Sequence, residues 1–292
     1  MEVGQEFANS GYFRLLTFSL AGGGMNKHEY LDIFSSNRAA ILAAAELGLD
    51  APVAGCPGWD VGALVAHMGG VYTFWGKWVR DRPRGWSDEA QSALTAERES
   101  ELPGFGEWRA ANFPSAGRPA GIVEFARSTG DRLEAELRKL APSEPVWSFF
   151  KPNQTAGFVQ RRICQETTIH RWDAESAHGI GRPIPPELAR DGVDEYLTMI
   201  IQLGFDDEGK RSTGFSGERF CFQEVDGDMS WLVTFSRDGI QSSSGSGSAD
   251  VTVSGSASDL LLFMMGRLPV DSLAVEGDAM LATRWNELAG SF

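Results

Sequence analysis

Apolar positions recur at three- and four-residue intervals through most of the N-terminal two thirds of the chain. Between His28 and Leu49 they are Tyr30, Leu31, Phe34, Ile41, Leu42, Ala45, Leu47 and Leu49, the stripe of an amphipathic helix, with Gly48 near its end. The segment from Ala54 to Trp59 is turn chemistry. Asp60 follows at an N-cap position, with Trp59 and Leu64 spaced as a hydrophobic staple, so a second helix is predicted from Val61 to Arg80. Residues 81–118 mix Pro, Gly, Ser and charge with scattered Trp and Phe, which predicts a long excursion holding one short helix, a lid or padding for a bundle. Helical spacing returns from Ile122 to Leu140, closed by Pro142, and again from Thr155 to His178, closed by Gly179 and Pro183. A fifth helix is predicted from Glu187 to Leu203.

Past Asp206-Asp207-Glu208-Gly209 the pattern changes. Arg219 to Glu224 and Trp231 to Ser236 are short β-prone runs separated by turn residues, and Val251 to Ser254 is another. Gln241 to Ser248 reads as a Ser/Gly turn or flexible loop, Leu260 to Met265 as a buried helix, and Leu281 to Leu288 as a last one. Strands then helices make a small α+β domain, and the fold class is α+β: a helical bundle over 26–207 followed by a C-terminal domain over 213–292. Gly22-Gly23-Gly24 before Met25 suggests that residues 1–25 are a loosely attached extension.

Composition narrows the function. A chain of 292 residues, 42% of them apolar, can fill a core of this size. The formal net charge is −14 without a Lys/Arg cluster, which argues against nucleic acid as a partner. Cys56, Cys164 and Cys221 have no paired spacing, so neither a disulfide framework nor a Cys-based zinc site is expected, and a reducing cytoplasm fits best. Phe13 to Ala21 is preceded by Glu2 and Glu6 where an export signal would want basic residues, and no membrane span is expected.

Four histidines focus the chemistry. With Leu64 at the centre of the buried face of the second helix and about 100° per residue, Val61, Met68, Val71 and Trp75 fall within about 60° of it, and His67 falls on the same side. A lone inward histidine is more often a core residue than a ligand. Glu166 and His170, four apart, leave one face of the fourth helix about one turn from each other and can converge on one ion. Their setting of Phe158, Val159, Ile163 and Ile169 makes an unpaired carboxylate costly. His67, Glu166 and His170 together are three ligands of the kind zinc takes, with a fourth position open. Arg162, one turn before Glu166, either holds a substrate or cofactor carboxylate or pairs with Glu166. Asp173 is either a partner for the second nitrogen of His170 or, slightly favoured, a solvated helix-end charge. Cys164 lies about 200° around the helix from Glu166 and reads as a packed thiol, Cys56 as structural more than nucleophilic, and His28 and His178 as helix-end residues.

Cys56-Pro57-Gly58-Trp59, Leu64-Val65-Ala66-His67-Met68-Gly69-Gly70, Gln154 to Phe158, Arg161-Arg162, and Glu166-Thr167 with His170 to Glu175 closely resemble the mycothiol-dependent maleylpyruvate isomerase family. So do Val251-Thr252-Val253, Gly255, Ala257, Asp259-Leu260-Leu261, Gly266 to Pro269 and Val275 to Asp278. The resemblance covers about residues 26–292 and implies a DinB-like four-helix bundle carrying a metal, joined to a domain similar to the sterol carrier protein fold. It implies metal ligation by His67, Glu166 and His170, and mycothiol binding by the motif that holds Arg267, which also sits where a helix-dipole partner would. Gln165 departs from relatives that have His there; it faces away from Glu166 by about 100°. Two neutral imidazoles and a carboxylate leave a zinc site near +1, which favours an anionic fourth ligand and lowers the pKa of a thiol. The resemblance thus implies a small thiol adding to an electrophile, followed by isomerisation of an unsaturated acid or by retention of the thiol, as in S-transferases. A non-catalytic metal or thiol sensor and a metal hydrolase acting on thiol conjugates are rival readings of the same ligands. The expected partners are a small thiol and a small electrophile, taken up by a monomer with no membrane contact.

Overall fold

The computed structural model describes residues 24–205, 217–236 and 239–289. The expected N-terminal extension, apart from Gly24 and Met25, and the Asp206–Gly209 stretch lie outside them. The chain divides into two compact units after Arg182.

In the first unit, α1 (Lys27–Leu47), α2 (Val61–Asp81), α5 (Ile122–Lys139) and α6 (Ala156–Ala177) form a four-helix bundle in which α1 packs on α6 and α2 on α5. Side chains start three of these helices. Asn26 accepts from the amides of His28 and Glu29 while Glu29 reaches back to the Asn26 amide, a full capping box; Asp60 accepts from the Ala63 amide at 2.8 Å, and Thr155 from that of Phe158 at 3.2 Å. Leu31 and Phe34 from α1, Leu64 and Met68 from α2, and Val159 and Ile163 from α6 are fully buried core. The α2–α5 contact depends on Gly69, because a methyl there would stand 2.5 Å from the Phe125 ring.

The expected excursion contains two helices, α3 (Asp88–Glu101) and α4 (Phe105–Ala110). The sequence suggests one because α3 buries only Ala90 and Leu94, too few apolar positions to set a clear period. Phe105, Trp108 and Phe113 fold back on Ala63, Ala66 and Phe125, so the excursion completes a core.

The second unit begins with α7 (Pro186–Glu195), which continues through a π-helical turn at Tyr196–Ile200 into α8 (Ile201–Phe205). The expected bundle boundary at 207 would have placed these helices with the first unit. A five-stranded sheet follows in the order β3-β2-β1-β4-β5: β1 Arg219–Glu224, β2 Ser230–Ser236, β3 Gly239–Ser244, β4 Val251–Gly255 and β5 Ala274–Gly277. The β1–β4 pair is parallel and the others antiparallel. Trp231, Val233 and Phe235 alternate inward on β2. The expected Ser/Gly loop is partly an edge strand: Ile240 and Ser242 point inward on β3, but its serines carry no apolar alternation. Strand β5 is also an addition, and the last expected helix is two short ones, α10 (Ala279–Thr283) and α11 (Trp285–Ala289). Helix α9 (Ala257–Met264) packs on α7, and Trp285 sits fully buried with its ring centroid 4.7 to 5.0 Å from those of Phe222 and Phe220. A helical N-terminal unit followed by a small sheet unit is the α+β class expected. No described helix is long and apolar enough to cross a membrane.

Candidate metal centre and cavity

Helix α2 presents His67 to α6, and α6 presents Arg162, Glu166, His170 and Asp173 along successive turns. One oxygen of Glu166 lies 3.5 Å from Nε2 of His67 and 3.5 Å from Nε2 of His170. The imidazole centroids are 5.1 Å apart, inclined at 70°. Hydrogen bonds of N–H to oxygen cluster at about 2.7–3.2 Å, so these separations are long for direct bonds. Tetrahedral ligands about 2.1 Å from a zinc ion stand about 3.4 Å from one another, so the donor spacing suits an ion between them. Two imidazoles and a carboxylate are also the donor set zinc accepts, and among the described residues no further His, Cys, Asp or Glu atom joins this group.

Both outer flanks of the triad are tied down. The second Glu166 oxygen accepts from Arg162 at 2.9 Å, leaving the first to face the histidines. Nδ1 of His170 stands 3.0 Å from Oδ2 of Asp173, so Nε2 is the nitrogen offered to an ion. Asp173 is buried and not the solvated charge favoured from sequence: the carboxylate is enclosed by the turn that precedes α2, and Cys56 in that turn places Sγ 3.6 Å from the same oxygen. Cys56, His170 and Asp173 form a second close group of possible donors. The 3.0 Å separation within it is that of a hydrogen bond, which favours a supporting role over a second ion site.

Burial and neighbouring charges set the protonation of each group in the triad. Burial would raise the pKa of Glu166, but the neighbouring His170 and His67 and the charge of Arg162 outweigh it and hold the carboxyl well below its ordinary 4.5. Burial keeps His67 below 6.5, leaving a neutral nitrogen able to bind a metal. Burial also works against charge on His170, yet the neighbouring Asp173, Cys56 and Glu166 raise its pKa well above 6.5.

A cavity of about 200 Å³ opens at the triad, with His67, Glu166 and Arg162 among its lining residues. Side chains of His67 and Glu166 are 26% and 28% exposed, whereas that of His170 is 10%, so the open side of the triad is the cavity side. Aromatic rings make up much of the wall: Phe74 and Trp75 from α2, Trp86 before α3, Phe105 and Phe113 around α4, and Phe149 before α6. Every lining residue belongs to the first unit. Arg109 of α4 also faces the cavity, close enough for its charge to act on His67. Trp86, Phe149 and Arg109 sit in irregular or polar segments that give no sequence signal of a wall. The Cys56 turn was visible, but its pairing with Asp173 spans 117 positions and has no local spacing.

Arg267 stands in the turn after α9 of the second unit, half-buried, and donates to the carbonyl of Met265 at 2.7 Å. Gln165 and Cys164 are buried on α6, and His178 caps the C-terminus of that helix.

Residues 32–175 match the model of the mycothiol maleylpyruvate isomerase N-terminal domain, and residues 187–284 match that of the MDMPI C-terminal domain. The crystal structure of the mycothiol-dependent maleylpyruvate isomerase is similar with a TM-score of 0.55 at 16% identity, covering 86% of this chain and 93% of that chain. That of a histidine-to-alanine mutant gives the same figures. At this identity the likeness is one of fold. No curated protein sequence matches the chain.

Proposed function

The chain belongs to the mycothiol maleylpyruvate isomerase family, and on that premise we propose that it is a thiol-dependent enzyme that isomerises an unsaturated acid through reversible thiol addition or leaves the thiol on the electrophile. The observation that carries this reading is the convergence of His67, Glu166 and His170 beside a cavity large enough for a small substrate. A divalent ion of the zinc type held by these three residues would supply a positive centre that lowers a thiol's pKa and fixes its sulfur beside the substrate.

The chain's own groups have separable tasks in this reading. Arg162 orients Glu166, and Asp173 fixes the tautomer of His170 while its charge supports the imidazole. The aromatic wall excludes water, which strengthens charge interactions inside. Arg109 offers a cation to a substrate carboxylate. Thiol sulfur bonds to one alkene carbon, the π pair moves onto the conjugated carbonyl, the remaining single bond rotates, and expulsion of the thiolate restores the alkene in its new geometry. No net proton or electron is consumed. Arg267, matched to the family's mycothiol-binding motif, is proposed to contact the thiol, and a reducing cytoplasm is the compartment where that thiol stays available.

Purified protein given maleylpyruvate should convert it only when mycothiol is added. Conversion at the same rate without thiol, or hydrolysis of a preformed thiol conjugate as the sole activity, would overturn this reading.

A further inference from the structure

The cavity wall bears on which electrophile the site takes. Phe74, Trp86 and Phe149 are all half-buried, so each leaves part of a ring in the open space beside the triad. Their positions are braced from behind. The fully buried Trp78 stacks on Phe74 with centroids 4.8 Å apart and on Trp86 at 5.4 Å, inclined at 21° and 19°, and Phe149 packs against Trp75 at 5.6 Å. A braced set of partly open rings is a surface for a flat apolar group, which gains from both burial and ring contact.

Arg98, Arg109 and Arg162 add positive charge to the same cavity. Arg162 is engaged by Glu166 at 2.9 Å. Arg98 directs Nε and a terminal nitrogen at the carbonyl of Gly70, at 3.2 and 2.7 Å, with its guanidinium over the Phe105 ring. Arg109 is the cation whose charge reaches His67. An acid with an aryl substituent meets these charges with its carboxylate and the rings with its body.

Resting on the thiol-dependent reading above, we infer that the preferred electrophile is an unsaturated 2-oxo acid bearing an aromatic or similarly flat apolar group. Sulfur bonds to the alkene carbon that carries the ring, and the π pair moves onto the keto oxygen. Protonation of the adjacent carbon then leaves the adduct, or rotation and loss of thiolate returns the isomerised acid.

The test compares benzylidenepyruvate with maleylpyruvate, using the full-length metal-loaded protein and mycothiol. The expected result is a kcat/KM for benzylidenepyruvate about tenfold or more higher, the scale on which one apolar subsite discriminates. Trp86→Ala and Phe149→Ala should shrink that ratio, chiefly through the KM of the aryl acid, and Trp86→Phe should largely restore it. Equal use of both acids, or preference for maleylpyruvate, overturns the inference and leaves the thiol-dependent reading standing. Absence of thiol-dependent turnover of either acid overturns both.

Discussion

Asp173 holds the Nδ1 side of His170 at 3.0 Å from the core of the bundle, so the orientation of the imidazole is set by a residue that faces neither the cavity nor a substrate. Partners of this kind orient a ligand and raise its basicity, and their loss costs roughly 10–100-fold in metal affinity or activity. Asp173→Ala is expected to weaken metal retention by that factor in chelator competition. Asp173→Asn, which keeps an acceptor but not the charge, should fall between it and the parent.

Arg162 acts on the other end of the triad. With its guanidinium 2.9 Å from one Glu166 oxygen, it keeps the other aimed between the histidines. Arg162→Met should lower kcat/KM by roughly 10–100-fold and loosen metal binding together with it. Arg162→Lys, retaining charge but not the planar fork, should recover only part. Loss of turnover with unchanged metal affinity would assign Arg162 to the substrate alone.

Two glycines of α2 should respond in opposite directions to alanine. At Gly69 the new methyl meets the Phe125 ring at 2.5 Å and the Ala126 backbone at 3.3 Å, so Gly69→Ala should destabilise by about 1–3 kcal/mol. At Gly76 nothing lies within 4 Å, and Gly76→Ala should stabilise by up to about 1 kcal/mol through helix propensity. Urea midpoints of the two variants check both signs.

Acid should unfold the first unit partly through Glu175. Burial raises its pKa, but Arg182 and Arg171 bind the carboxylate and lower it from the ordinary 4.5. A carboxyl with a lower pKa in the folded state contributes stability that is complete above the unfolded value and is lost as pH falls through the folded one. Stability should therefore drop below about pH 4.5, and Glu175→Gln should be less stable at pH 7 with a shallower decline in acid. The loss at pH 7 should be about 3 kcal/mol, because Arg171 is left buried without its carboxylate.

Much of the bundle was legible because its signals are local. Asp60 caps a helix within three residues of itself, and the four-residue spacing of Glu166 and His170 fixes their shared face. The inward phase of His67 followed from the apolar stripe of one helix. Contacts that join distant segments were not legible. Cys56 meets Asp173 through the tertiary fold, Trp86 and Phe149 reach the cavity from irregular segments, and the serines of β3 show strand character only once paired with β2. Asp173 looked like a helix-end charge because the turn that buries it lies in another part of the chain.

The most direct test of the account is metal content measured on the protein as purified. One equivalent of a divalent ion is expected in the parent, and His67→Ala, Glu166→Gln and His170→Ala should each lose it, with thiol-dependent turnover, while their helical circular dichroism is retained. Full metal content in all three variants, or thiol-dependent turnover by a metal-free parent, would contradict it.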